Sequence, residues 1–184
     1  GAVRNRRGTT VCFRPDPEIF GDKAKFKPGW LFSMARSKAY LYSGVEIRWK
    51  CDPSLIKPDS KVTPEETFKF PNGLMDYLQE SFTETAFHGR AKLPDGEGRI
   101  EFALAWLEGE EGFTQSYCNT VPTAQGGTHE TGFKTAIARG LKAYGEMVGL
   151  KKVSAITTDD IMTGMVMLIS VFIKDPQFQG QTKE

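Results

Sequence analysis

Histidine is nearly absent from this 184-residue chain, which carries only His88 and His129. The three cysteines, Cys12, Cys51 and Cys118, lie far apart, and no Cys-x-x-Cys pair exists. A structural zinc site needs ligands in close pairs, so no metal site is expected. Each cysteine stands beside apolar residues in strand-like sequence, which predicts reduced thiols in the core of a cytoplasmic protein. Long apolar runs are missing too. The longest, MVMLISVFI at 165–173, has nine residues against the roughly 20 that a membrane helix needs, so no membrane association is expected. A signal-peptide pattern is lacking, and the chain begins on Gly1, which predicts a piece of something longer. There is no Gly-Lys-Ser/Thr phosphate loop, no Gly-x-Gly-x-x-Gly fingerprint, and no serine or cysteine nucleophile motif beside a histidine. No catalytic residue is therefore expected in this chain.

What is present fits one domain, since 39% apolar residues can fill the core of a chain this long. The formal net charge of +1 divides unevenly: residues 1–71 hold 14 basic and 8 acidic side chains, and residues 72–184 hold 10 and 15. Such polarity can mark a face that meets DNA or another acidic surface. Arg4, Arg6, Arg7 and Arg14 are candidates by charge alone, with solvated surface as the competing reading.

Along the chain, β-branched and aromatic residues predict a strand at 8–13, stopped by PDP at 15–17. Apolar positions from Trp30 to Tyr42 predict a helix closed near Gly44, followed by a strand through Val45, Ile47 and Trp49. Three prolines make 52–64 a connection. Asn72 is read as the cap of a short helix through Leu74, Tyr77, Leu78 and Phe82. AKLPDGEGR at 91–99 has hairpin chemistry, and its second arm places Ile100, Phe102, Leu104 and Trp106 on one face. A strand at 113–119 precedes the longest helix, about 128–148, with Phe133, Ile137, Leu141, Tyr144 and Val148 spaced for a core face and Gly149 as its end. Thr157 and Asp160 fit a capping box, and 165–173 reads as a strand buried on both faces. Strands and helices that do not strictly alternate suggest a two-layer α/β domain, helices on one side of a mixed sheet.

Three loops spend glycine and polar residues beyond what plain turns need: residues 1–8, 122–132 and 175–184. QGGTHE at 125–130 could offer backbone amides to an anion, or be a glycine entry with Thr128 as the cap. In QTKE, Gln181 and Lys183 fall on one side of an extended segment. A carboxamide donor beside an ammonium suits a terminal phosphate, and a solvated tail is the alternative.

RGTTVCFRPDPEIFG at 7–21, YCNTVPTAQGGTHETGF at 117–133 and DPQFQGQTKE at 175–184 resemble, in sequence and spacing, the second domain of the ATPase region of bacterial type II topoisomerase B subunits. Within that family AYLYSGVEIRWKCDPSL at 39–55 looks more like the B subunit of DNA topoisomerase IV than the B subunit of DNA gyrase. The resemblance implies that residues 1–184 are a single transducer domain, separate from an N-terminal ATP-binding domain and a C-terminal TOPRIM region. The implied fold is similar to domain 2 of ribosomal protein S5, an α+β two-layer arrangement with helices on one face and a left-handed βαβ crossover. By the same match Gln181 and Lys183 contact the γ-phosphate of ATP, while ATP and Mg2+ are held mainly by the preceding domain, so that none is expected bound to this piece. Implied partners are the A subunit of topoisomerase IV in an A2B2 heterotetramer, a second B subunit on ATP binding, and double-stranded DNA. A stand-alone nucleic-acid-binding module of S5-like fold is the reading from another class, and the near-neutral charge counts against it.

Overall fold

The computed structural model describes residues 7–178 apart from residues 83, 84, 95 and 110, so Gln181, Lys183, Arg4 and Arg6 lie outside the described residues. In chain order the elements are α1 Pro17–Phe20, α2 Pro28–Leu41, β1 Glu46–Lys50, β2 Glu65–Lys69, α3 Leu74–Ser81, β3 Phe87–Lys92, β4 Arg99–Trp106, β5 Thr114–Cys118, β6 Val121–Pro122, α4 Thr128–Met147, α5 Thr158–Met162 and β7 Met165–Phe172. Strands β3-β4-β7-β5-β6 form one mixed sheet in that order, with β5 parallel to β7 and the other pairs antiparallel. Strands β1 and β2 pair separately, Trp49 opposite Glu66.

The central strands β4 and β7 bury both faces. Ala103, Ala105, Val166 and Leu168 pack with Tyr40 and Leu41 of α2 and with Leu74 and Leu78 of α3. Leu104, Met165, Met167 and Ile169 point the other way, against Phe133 and Ile137 of α4 and Met162 of α5. Helices therefore cover both faces of the sheet, which corrects the expectation of helices on one side. The cause is visible in β4: Phe102, Leu104 and Trp106 suggest a single apolar face, but the alanines between them are fully buried and need cover of their own. The unit β5–α4–β7 supplies the βαβ crossover, joining neighbouring parallel strands.

Local chemistry explains most boundaries. Pro28 opens α2 at the first turn, where its missing N–H costs nothing. At the end of α4, Gly149 has φ +73, its N–H donates to the Glu146 carbonyl, and the Leu150 N–H donates to the Gly145 carbonyl. That pair is the Schellman closure, which needs the left-handed conformation glycine supplies. Thr157 and Asp160 make the capping box of α5.

Other expectations fail for physical reasons. Residues 8–13 belong to no strand, and Val11 and Phe13 stand exposed. Strand propensity forms a strand only where a partner edge exists. Cys12 is exposed and Cys51 half-buried, so the core-thiol reading holds for Cys118 alone. Asn72 does not cap α3. Gly73 is the cap residue, and Asp76 accepts from both the backbone N–H and the side-chain amide of Asn72. Gly127, not Thr128, caps α4.

Candidate functional site

Strand β5 reverses into β6 through Asn119 and Thr120, both at positive φ, 48° and 66°. Cys118 pairs with Val121 across the turn, as in the tight hairpins that match strand twist. Asparagine tolerates this conformation, whereas a β-branched threonine is strained in it. Lys38 on α2 offsets the strain: its Nζ donates to the Thr120 carbonyl at 2.6 Å and to the Thr120 hydroxyl at 2.7 Å. Burial holds that ammonium below the usual lysine value.

Asn119 grips the chain where it leaves β7. Its Nδ2 donates to the Ile173 carbonyl and its Oδ1 accepts from the Ile173 N–H, each at 2.9 Å. Its own N–H donates to the Val171 carbonyl at 2.8 Å. Phe172, one residue earlier, carries the Arg99 guanidinium 4.0 Å from its ring centroid.

Past this point the outgoing chain reaches the entrance of α4. Asp175, Gln177 and Phe178 line a cleft of about 1020 Å³ together with Gly126, Gly127, Thr128, His129 and Phe133. Two of the three loops singled out from the sequence are thus brought together as far as Phe178. Of the third loop, only Arg7 and Gly8 are described, and both are exposed.

The α4 entrance is held by a half-buried polar chain. The Ser116 hydroxyl lies 2.6 Å from the Thr123 hydroxyl and donates to the Glu130 carboxylate at 3.0 Å. Lys134 Nζ donates to the other Glu130 oxygen at 2.7 Å. The His129 Nε2 sits 3.3 Å from the Thr123 hydroxyl. Burial pushes the His129 imidazole below the usual histidine value, with the Glu130 charge pulling it up. Its hydroxyl partner Thr123 is already engaged by Ser116, so this arrangement orients a loop and gives no activated nucleophile. Gly126, at φ +79, lets the backbone turn over the Glu130 carboxylate. Sequence reasoning named the loop but missed Lys38, Ser116, Asn119 and Thr123. Asn119 following strand residues was the one available signal, since asparagine favours left-handed turns.

Comparison with known proteins adds three findings. The family model for DNA gyrase B matches residues 72–184. Along its whole length the chain is 50% identical to the B subunit of DNA topoisomerase 4 from Bartonella bacilliformis and 52% identical to that from Caulobacter vibrioides, covering 27% and 28% of those proteins. It is 35% identical to the DNA gyrase B subunit of Chlamydia pneumoniae, covering 23% of it. The chain spans about a quarter of the length of the curated relatives it matches. Among solved structures, the 43K ATPase domain of Thermus thermophilus gyrase B aligns with a TM-score of 0.73 at 31% identity, over 91% of this chain and 45% of that one. The topoisomerase IV ATP-binding domain of Francisella tularensis aligns with a TM-score of 0.71 at 30% identity, over 91% and 44%.

Proposed function

The chain belongs to the DNA gyrase B family, and from that membership we propose that it is the transducer domain of a DNA topoisomerase IV B subunit. The observation that carries this reading is the identity over the full chain, about half against the topoisomerase IV proteins and 35% against the gyrase protein. The whole protein would then be a cytoplasmic, ATP-dependent type II topoisomerase. It would act on double-stranded DNA with the A subunit in an A2B2 assembly, its B subunits pairing when ATP binds.

Within that enzyme this chain senses the nucleotide through Gln181 and Lys183. An ammonium and a carboxamide suit an oxyanion: Lys183 neutralises charge and Gln181 donates a hydrogen bond. The resemblance to type II topoisomerase B subunits assigns Mg2+ and most of the nucleotide to the preceding domain. ATP, when bound, supplies the terminal phosphate. Lys183 has a charged partner only while that phosphate is present, so its loss removes a contact that favours one orientation of the two domains.

A charge-assisted contact of this kind is worth roughly 1.5–3 kcal/mol, about 10- to 150-fold in a rate when it is made mainly in the transition state. The full-length protein carrying Lys183→Ala should therefore hydrolyse ATP slower by about that factor at saturating nucleotide. Parent-like hydrolysis by the variant would exclude this role for Lys183.

A further inference from the structure

We propose that the corner of the sheet beyond the end of α2 is a phosphate-binding site, with the group held between Lys92 of β3 and Arg99 of β4. The phosphate is either free or part of a DNA backbone. The second source rests on the topoisomerase reading given above, and the first does not.

In the β3–β4 ladder Arg90 stands opposite Glu101, and Lys92 stands opposite Arg99. Residues two apart on a strand share a face, so these four lie together, on the face that Ala103 and Ala105 turn to α2 and α3. The first pair is complementary. Arg90 Nη2 donates to Glu101 Oε1 at 2.9 Å, and the Leu74 N–H and His88 Nε2 each lie 3.4 Å from the same oxygen. The second pair sets two cations directly across from each other, which is unfavourable unless an anion joins them. The carboxylates two positions to either side of Arg99 are engaged, Glu101 by Arg90 and Glu97 by Lys174 at 3.3 Å. Among the described residues neither Lys92 nor Arg99 is in an ion pair.

Helix α2 ends at Leu41, and past it this face is open. Tyr42, Ser43 and Val45 form one wall of a cleft of about 510 Å³ that Arg90, Lys92 and Arg99 also line. Tyr42 and Ser43 bring hydroxyls that can donate to an oxyanion. Strand β3 is the outer strand of the sheet, so no further strand closes the cleft on that side among the described residues.

Arg99 is already placed. Its guanidinium carbon lies 4.0 Å from the Phe172 ring centroid, and Tyr42 packs against the same ring with centroids 5.7 Å apart. A stacked guanidinium keeps its N–H edge for a planar pair of hydrogen bonds, and holding it in advance lowers the entropy lost on binding. Lys92 supplies a point charge opposite. Together they match a phosphate, whose oxygens can meet both cations at once, and on a DNA backbone such contacts would be blind to sequence.

The test follows acylation of individual lysines in the full-length protein by mass spectrometry, in chloride, in inorganic phosphate, with a DNA duplex and with polyglutamate, all at equal ionic strength. Lys57, exposed in the connection between β1 and β2, is the internal reference. With inorganic phosphate or duplex at about ten times its Kd, Lys92 should react about tenfold slower relative to Lys57. Arg99→Gln should reduce that protection to within about twofold, and Arg99→Lys, which keeps the charge but loses the planar edge, should fall between. Arg99→Lys also serves where Arg99→Gln does not fold. Protection by inorganic phosphate alone supports the site as one for a free anion, and protection by duplex alone supports it as a contact to the DNA backbone. Protection that is unchanged in Arg99→Gln, or absent with both probes, overturns the proposal. Protection by polyglutamate alone also overturns it, in favour of an acidic protein partner. Failure of the topoisomerase reading shows separately, as a full-length protein that does not relax supercoiled DNA when given ATP and its A subunit.

Discussion

At the scale of single residues, two groups carry consequences that solution experiments can read. Lys38 satisfies the carbonyl and hydroxyl of Thr120, a buried residue. Lys38→Met keeps the aliphatic stem but leaves both oxygens without their donor, and should cost about 1–3 kcal/mol in urea unfolding. The cost should be seen as a lower midpoint with an unchanged slope. His129 gives a pH dependence. Burial holds its folded pKa below the unfolded value of about 6.5, so the unfolded chain takes up the proton first. Its contribution to stability is fully present above pH of about 6.5 and is lost as pH falls through the folded value. His129→Gln should flatten the fall in the urea midpoint below pH of about 6.5, and an unchanged slope there would show that other groups govern it. The sequence marked the loop of His129 but not the contact it makes, and it did not mark Lys38. Lys38 lies 82 positions from its partner, and a lone histidine in a glycine loop does not announce the hydroxyl it meets.

Among the elements, α4 shows most clearly what sequence pattern can and cannot specify. Its length, its closing glycine and its use of Phe133 and Ile137 on the core side were legible from periodicity. The same periodicity extends to Leu141, Tyr144 and Val148, yet all three are exposed, because the contact with the sheet is made by Phe133 and Ile137 and the end of the helix packs instead through Gly145 on Val153. Periodicity reports which side of a helix is apolar and is blind to where the opposing layer stops. The helix contains glycines in two different situations. An added Cβ at Gly140 would meet nothing within 4 Å, whereas one at Gly145 would collide with Cγ2 of Val153. Gly140→Ala should therefore stabilise the protein by about 0.5–1 kcal/mol through helix propensity. Gly145→Ala should destabilise it by about 1–3 kcal/mol, since the gain in propensity is outweighed by overpacking against Val153. Thermal unfolding of the two variants tests the contrast, and equal shifts would mean that the 153–155 turn yields freely. Strand β2 shows the reverse limit. EETFK has a single buried side chain, Phe68, so its strand character comes from pairing with β1 and leaves little alternation to read.

At the scale of the whole molecule, the central strand β7 joins two cores. Val166 and Leu168 belong to the layer of α2 and α3, and Met165, Met167 and Ile169 to the layer of α4 and α5. The continuous apolar run MVMLISVFI announced a strand buried on both sides, but assignment of helices to faces depends on which strands are neighbours. The order β3-β4-β7-β5-β6 is long-range information that a local pattern does not contain. The same holds for the candidate site: the sequence marked 122–132 and 175–184 as unusual, but only the parallel pairing of β5 with β7 brings their described parts to one cleft. On the proposed transducer reading the chain must move as a unit, and the shared strand makes a specific demand on its unfolding. Trp49 reports the α2 layer, with its indole N–H donating to the Thr63 carbonyl, and Trp106 reports the α5 side, donating to the Ile161 carbonyl. Variants that retain one or the other as the only tryptophan should show coincident urea midpoints, because neither core survives without β7. Separated midpoints would show two units of unequal stability, and the proposed transducer reading would then have to explain how a motion crosses from one layer to the other.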